Sequence, residues 1–139
     1  MRIRTMKPAD LHPLAKINAG IYPETTPALA LRTLKLAFKN KIPGAALVAE
    51  EDGGLAGAIF IEKRITFTAH AAYVHSIFVE KTRRGKGIGR KLMARGLRAA
   101  KRHGVKSLSL GVEGENCPAM RLYKKFGFRP FRLLLLRKF

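Results

Sequence analysis

Glycine alternates with mostly basic residues in the run Arg84-Gly85-Lys86-Gly87-Ile88-Gly89-Arg90. The apolar run Tyr73 to Val79 precedes it and an amphipathic segment begins at Ile88, which predicts a strand, a turn and a helix in that order. The first N–H groups of a helix lack intrahelical partners and lie at the positive end of its dipole. Because glycine has no side chain to hold an anion away from these donors, the turn is predicted to bind a phosphate or pyrophosphate.

Two well-known phosphate-binding motifs do not fit this turn. A P-loop requires Ser or Thr after its Gly-Lys pair, but Lys86 is followed by Gly87. A Rossmann turn that began with Gly85 and Gly87 would require a third glycine where Arg90 stands. A different phosphate-binding turn and a basic connecting turn without a ligand both stay open at this point.

The remaining pattern predicts an irregular alternation of strands and helices. The predicted elements are a strand within Met1 to Met6, a helix over Leu11 to Ala19, a helix over Leu29 to Phe38 closed by Pro43-Gly44, strands over Ala45 to Ala49 and Ala56 to Ile61, a strand over Tyr73 to Val79, a helix from Ile88 to a C-cap at Gly104, a strand over Ser107 to Val112, a helix over Pro118 to Phe126 and a last strand or hairpin arm over Phe128 to Phe139. An Asp-Gly-Gly turn between the second and third strands makes them antiparallel. The order indicates one mixed sheet with helices on both faces.

Length and composition indicate a single domain over residues 1–139, since 47% hydrophobic residues suffice for one core. The longest apolar run, Leu133 to Leu136, is far shorter than the roughly 20 residues that span a bilayer, so we expect a cytoplasmic protein without membrane association. Cys117 is the only cysteine. The four histidines lack zinc-ligand spacing, so no metal is expected.

The charge is strongly positive: 28 Lys and Arg against 9 Asp and Glu give a formal net charge of +19. The densest clusters are Lys81 to Lys91, Arg95 to Arg102 and Lys124 to Arg132. Such a surface favours nucleic acid, the ribosome or a phosphate-rich ligand as a partner. Because no aromatic-interleaved recognition motif accompanies the charge, a solvated cationic surface without a specific partner stays open as well.

Two segments together resemble the GNAT superfamily of N-acetyltransferases. The run from Ile77 to Met93 is similar to motif A of that family, with Arg84, Gly87 and Gly89 at the signature positions. The run from Asn116 to Phe128 is similar to motif B, with a helix that bears a tyrosine and a closing Gly-Phe. The resemblance implies an α/β (α+β) fold with a single mixed, mostly antiparallel twisted sheet of about six to seven strands.

The resemblance also implies a cofactor site. Acetyl-CoA, the acyl donor of the family, would lie where the parallel strands Tyr73 to Val79 and Ser107 to Val112 splay apart. The residues that would contact it are Ile77, Phe78 and Val79 along the pantetheine, Arg84, Gly85, Lys86, Gly87, Ile88, Gly89 and Arg90 around the pyrophosphate, and Asn116 and Tyr123 from motif B. The pyrophosphate assignment agrees with the glycine spacing.

The reaction implied by the resemblance is direct attack of a primary amine, on a small molecule or a protein or peptide, on acetyl-CoA in a ternary complex. Tyr123 is the expected general acid, because a phenol can donate a proton to the departing thiolate. Helical spacing also allows Tyr123 to be a core residue. Asn116 is expected to cap its helix. Cys117 is interpreted as a small buried cysteine and not as an acyl carrier, since no histidine is close in sequence.

The general base is less well defined. Many family members have a glutamate six residues before the position of Val79, where this chain has Tyr73. His75 is the preferred replacement, because its ordinary pKa suits proton transfer at neutral pH. Glu113, Glu115 and a chain of water molecules are the alternatives.

Other functions remain open from the sequence. A nucleic-acid- or ribosome-associated module with the same fold and little catalysis is the main alternative, and an acyl donor other than acetyl-CoA is another. The charge is expected to disfavour polycationic acceptors. The helices within Leu11 to Phe38 are expected to shape the pocket for the acceptor amine, and a homodimer, common in this family, stays open.

Overall fold

The computed structural model describes residues 1–64 and 70–139. Its elements are β1 (Arg2–Thr5), a 3-10 turn (Pro8–Asp10), α1 (Leu11–Ile21), α2 (Pro27–Lys39), β2 (Lys41–Glu51), β3 (Gly54–Arg64), β4 (Ala71–Val79), a second 3-10 turn (Lys81–Arg83), α3 (Ile88–Arg102), β5 (Ser107–Leu110) and α4 (Cys117–Lys125). Within the described ranges one sheet has the strand order β1-β2-β3-β4-β5. The first three pairs are antiparallel and β4 pairs with β5 in parallel, which confirms the mixed, mostly antiparallel sheet.

The hairpin between β2 and β3 turns where it was predicted. Asp52 and Gly53 both have positive φ, 52° and 78°, as a two-residue hairpin turn requires. The prediction that Pro43-Gly44 ends the preceding helix was wrong, because both residues lie in β2. The β2–β3 register shifts between Lys41 and Ala46, and an interrupted ladder tolerates a proline that has no N–H to donate.

Helices cover both faces of the sheet, as predicted. Side chains of β2 and β3 alternate between the faces, so each strand contributes to two separate clusters. The cluster between the sheet and helices α1 and α2 includes Leu14, Leu34, Val48, Ala58 and Phe60. The cluster between the sheet and α3 includes Leu47, Ile59, Ile61, Leu92 and Met93. A Cβ at Gly96 would come within 3.0 Å of both Ile59 and Ile61, so this glycine lets α3 pack closely against the sheet.

The last predicted strand does not form, and the sheet has five strands in the described part of the chain, not six or seven. Phe128 to Phe139 lies outside the helices and strands, and Leu133 to Leu136 are 82–97% exposed. An apolar run becomes a strand only where a neighbouring edge supplies backbone partners, and β5 at that edge has only four residues. The local apolar pattern therefore predicted a strand that this segment does not form.

None of the helices in residues 1–64 and 70–139 is long and apolar enough to cross a bilayer.

Candidate active site

The two parallel strands pair along only the first part of β4. Their pairing begins at Ala71 opposite Ser107 and extends to Val74 opposite Leu110, where β5 ends. β4 continues to Val79, paired with β3 on its other side. In the part of the chain that the structure describes, no strand pairs with residues 75–79 on the side of β5. A cleft lined by strand backbone results.

A bulge in β4 lies at the beginning of this cleft. Ile61 pairs with Val74 and Phe60 pairs with Ser76, so His75 is an extra residue in β4. Its Nδ1 atom lies 2.8 Å from the Ser76 hydroxyl. Since Ser76 lies opposite Phe60, the bulge brings the imidazole to the face covered by α1 and α2.

The environment of His75 keeps its ring neutral. Burial lowers the pKa of His75 below its ordinary value of 6.5, and the nearby Glu62 carboxylate opposes that shift only in part. A neutral imidazole can accept a proton at pH 7. The position and the charge state of His75 are therefore compatible with a general base.

The glycine-rich turn leaves the beginning of α3 without a cap. Gly85 and Gly87 have φ of 82° and 79°, a left-handed conformation that favours glycine. The first helical hydrogen bond goes from the Lys91 N–H to the Gly87 carbonyl at 3.1 Å, which leaves the N–H groups of residues 88–90 before it. Among the described residues no side chain caps this end, and the first turn contains no acidic residue. These donors can bind an anion.

Gly89 differs from the other two glycines. Its φ is not in the left-handed region, and an added Cβ would lie 3.8 Å from both Leu122 and Val79, an ordinary van der Waals distance. The site therefore has room for alanine at this position, and the family signature also allows Gly or Ala there.

The basic residues of the turn are held by the β2–β3 hairpin. Lys86 Nζ lies 2.8 Å from Glu51 Oε1, and Arg83 donates to the Glu51 carbonyl at 2.6 Å and to Glu80 Oε2 at 3.0 Å. The hydrogen bond from Lys86 lowers the pKa of Glu51. Lys86 had been predicted to lie near the phosphates, and its partner Glu51 was missed because no local pattern connects residues 35 positions apart.

Arg84 and Arg90 complete the basic rim of the turn. Both side chains are exposed. Arg84 Nε donates to the Val79 carbonyl at 3.1 Å, at the end of β4, and Arg90 stands in the first turn of α3. Arg84 thus lies at the end of β4, and Arg90 itself contributes one of the uncapped amides.

Helix α4 begins with a side-chain cap. Asn116 Oδ1 accepts a hydrogen bond from the Ala119 N–H at 3.2 Å, as the sequence predicted. Cys117, the next residue, is exposed, so its interpretation as a buried cysteine was wrong. The alternative bases Glu113 and Glu115 are exposed in the loop before α4.

The end of α4 holds Tyr123 in place. Gly127 has φ of 88°, and the Phe128 N–H donates back to the Tyr123 carbonyl at 3.1 Å. This closing motif brings Phe128 against Tyr123, with the ring centroids 6.1 Å apart and the planes at 66°. The closing Gly-Phe of the second motif therefore orients the tyrosine ring.

Tyr123 is half-buried and packs against the core under α3. Burial raises the pKa of Tyr123 above 10.0, and the negative charge of an ionised Tyr22 would raise it further. The phenol is therefore protonated at neutral pH. Tyr22 follows α1 directly, so the helices predicted to shape the acceptor pocket come within electrostatic range of α4. The sequence pattern gave no indication of Tyr22.

Tyr73 lies at the base of the cleft. The Arg64 guanidinium lies 4.1 Å from the centre of its ring. A Cβ at Gly111 would come within 3.1 Å of the Tyr73 hydroxyl, which therefore lies beside the backbone immediately after β5. The phenol next to the cleft thus stands at the position where the family resemblance would place a glutamate.

The profile of the acetyltransferase (GNAT) family matches residues 11–128, which include β2 to β5 and all four helices. The chain belongs to this family. It is 31% identical over 142 residues to an N-alpha-acetyltransferase of Sulfurisphaera tokodaii, an alignment that covers 96% of the chain and 83% of that relative.

Two further acetyltransferases extend the comparison. An L-methionine sulfoximine/L-methionine sulfone acetyltransferase of Salmonella typhimurium is 36% identical over 83 residues, or 59% of the chain. The chain spans about half, 48%, of the length of that relative. The crystal structure of a ribosomal-protein-alanine N-acetyltransferase from Brucella melitensis superimposes with a TM-score of 0.77 at 27% identity and covers 93% of this chain and 85% of that one.

Within the ranges 1–64 and 70–139, no group of three or more His, Cys, Asp and Glu side chains could hold a metal ion.

Proposed function

We propose that this GNAT family member is an N-acetyltransferase that transfers the acetyl group of acetyl-CoA to a primary amine. The observation that carries the proposal is the uncapped beginning of α3 beside the unpaired backbone of β4. A pyrophosphate needs N–H donors and positive charge, and a pantetheine amide needs strand backbone. Here the uncapped N–H groups of α3 and the unpaired backbone of β4 are adjacent to each other.

The cofactor contacts follow from that arrangement. The pantetheine pairs with the backbone of Ile77, Phe78 and Val79. The pyrophosphate binds at the turn formed by Arg84, Gly85, Lys86, Gly87, Ile88, Gly89 and Arg90. Asn116 uses Oδ1 for its cap, so its Nδ2 can donate to the cofactor. Tyr123 approaches the sulfur from α4.

The reaction begins with the lone pair of a neutral amine, which attacks the thioester carbon. The new C–N bond forms, the C–S bond breaks, and the thiolate takes the proton of the Tyr123 hydroxyl. His75, neutral because its pKa is lowered, accepts the proton that the amine nitrogen loses. A water molecule then moves a proton from His75 to the Tyr123 phenolate, so protons balance over one turnover.

The acceptor is proposed to be an α-amino group of a peptide or an amino acid. Two relatives, an N-alpha-acetyltransferase and a ribosomal-protein-alanine N-acetyltransferase, support a peptide N-terminus. The acceptor enters from the side of α1 and α2, where Tyr22 and His75 lie. A net charge of +19 disfavours polyamines by long-range repulsion.

The test combines binding with turnover. Calorimetric titration with acetyl-CoA at physiological salt is expected to give one site with micromolar affinity. Release of CoA is then followed with an alanine-terminated peptide, its N-terminally blocked form, free methionine and spermidine. We expect turnover only with the free α-amines. A folded protein that binds no acetyl-CoA would contradict the proposed function, and the highest kcat/KM for spermidine would contradict the acceptor class.

A further inference from the structure

Four basic residues form a straight row along one flank of α3. Lys91, Arg95, Arg98 and Arg102 have the spacing i, i+4, i+7 and i+11, which places them within about 60° of the helix circumference and along roughly 16 Å of its axis. All four are exposed. We call this row the α3 stripe. From Ile88 to Arg102 the helix contains six Lys and Arg and no Asp or Glu.

The α3 stripe borders a groove against β1. The groove has a volume of about 320 Å³ and is lined by Met1, Ile3, Lys91, Ala94, Arg95 and Arg98. Arg95 donates to the Ile3 carbonyl at 3.3 Å, which holds the helix against the strand. β1 is the edge strand of the sheet. No carboxylate lines the groove among the described residues, so its charge is entirely positive.

The α3 stripe is separate from the proposed cofactor site. The cofactor donors lie at the beginning of α3, and Gly89 there faces Leu122 of α4. Helix geometry turns Arg90 and Lys101 away from the stripe, by roughly 60–80° from its nearest residue. A second phosphate-rich ligand can therefore bind along β1 without displacing acetyl-CoA.

We propose that the α3 stripe and the β1 groove bind the phosphodiester backbone of a single-stranded nucleic acid, independently of the proposed acetyl transfer. A linear row of charges fits a linear polyanion, because successive cations along the row can each pair with a phosphate of one strand. Among the residues that the structure describes, no aromatic side chain lines the groove. Binding is therefore through phosphates and independent of base sequence. Among the described residues, Met1 is the one large exposed apolar side chain that lines the groove, and the others lie elsewhere, mainly in Leu133 to Leu136. The groove therefore presents little of the apolar surface that a membrane would require.

The experiment compares two triple variants of equal net charge by fluorescence anisotropy with a 20-nucleotide single-stranded RNA. Arg95→Ala/Arg98→Ala/Arg102→Ala removes three cations from the stripe. Arg32→Ala/Lys35→Ala/Lys39→Ala removes three exposed cations from α2, which lies on the opposite face of the sheet. In both variants the last substituted residue lies in the last turn of its helix. Circular dichroism and acetyl-CoA affinity verify that both variants fold.

We expect the stripe variant to weaken RNA binding at least tenfold at about 100 mM salt. Its slope of log K against log salt should become less negative by about 2, since each lost phosphate contact contributes about 0.7. The α2 variant should remain within about threefold of the wild type. Equal losses in both variants would overturn the proposal, because net charge alone would then explain binding.

Two competitors locate the site. Saturating CoA should leave the RNA anisotropy unchanged, and displacement of RNA by CoA would overturn the proposal by placing the polyanion at the glycine-rich turn. Phosphatidylglycerol vesicles should bind the wild type and the stripe variant alike. Vesicle binding that depends on the stripe, together with RNA binding that does not, would assign the groove to a membrane surface and overturn the proposal.

Discussion

Helices α3 and α4 begin in opposite ways. α4 starts with Asn116, whose side chain accepts from the Ala119 N–H, and α2 starts in the same manner with Thr26, which accepts from Leu29 at 3.2 Å. α3 starts with Gly87 in a left-handed conformation, and no side chain within the described residues caps it. A cap stabilises a helix by about 1 kcal/mol. α1 also lacks a side-chain cap, but it continues directly from the 3-10 turn at Pro8–Asp10. At α3 the sequence forgoes that stabilisation at a helix whose first amides adjoin the cleft.

The two helix beginnings therefore serve different functions. The first amides of α3 are left to an incoming anion, whereas α4 satisfies one of its own and uses its far end to orient Tyr123. Cofactor affinity should therefore depend on the beginning of α3, and the rate of the chemical step should depend on the tyrosine of α4.

Tyr123→Phe is the largest expected effect. The variant keeps the ring contact with Phe128 and removes only the hydroxyl, so kcat should fall by about 100-fold or more because the thiolate loses its proton donor. Acetyl-CoA affinity and Tm should change little. Steady-state kinetics and calorimetry measure these quantities. If kcat stayed within twofold of the wild type, Tyr123 would be a core residue only.

Gly87→Ala should weaken acetyl-CoA binding about tenfold and destabilise the protein. A non-glycine residue in the left-handed conformation costs about 1–2 kcal/mol, which the turn can relieve only by moving its amides. Calorimetry and thermal unfolding measure the two effects.

Gly89→Ala is the matched control for that variant. Its Cβ has room and its φ is ordinary, so affinity should remain within about twofold and helix propensity should raise Tm slightly. Equal losses of affinity at Gly87 and Gly89 would mean that the left-handed turn does not set the anion site.

Asn116 allows the cap to be separated from the cofactor contact. Asn116→Asp keeps an acceptor for the Ala119 N–H and removes the amide donor, so Tm should be retained while acetyl-CoA affinity falls roughly threefold to tenfold. Asn116→Ala should lose the affinity and also about 1 kcal/mol of unfolding free energy. Unchanged affinity in both variants would restrict Asn116 to capping.

The smallest effect concerns pH. Because the pKa of His75 is lowered by burial, protonation of its ring should lower kcat/KM only below about pH 6.5. This step is separate from the loss of neutral acceptor amine, since an α-amino group titrates near about pH 8. The unfolded chain binds that proton more readily, so the unfolding free energy also falls as pH decreases below 6.5. His75→Gln should lower kcat and remove this step from the pH profile. A profile unchanged by His75→Gln would favour Glu113, Glu115 or water as the base.

Local patterns predicted most of the fold and part of the site. The alternating glycines and the asparagine before Pro118 were informative because a helix terminus is determined by its own few residues. The missing last strand was not predictable, since pairing depends on the distant edge of β5. The same reason explains why the ion pair between Lys86 and Glu51 and the approach of Tyr22 to Tyr123 were missed. The bulge at His75 could not be predicted either, because it is defined by the pairing register of β3 and β4 and not by the sequence of one segment.

The pyrophosphate site is tested most directly by a ¹⁵N–¹H NMR titration of the protein with acetyl-CoA. The amide resonances of Ile88, Gly89 and Arg90 should shift together toward the hydrogen-bonded range and saturate at one equivalent, while the capped amide of Ala119 should shift much less. Saturable binding that leaves the first amides of α3 unchanged would contradict the assignment of the uncapped helix terminus as the pyrophosphate site.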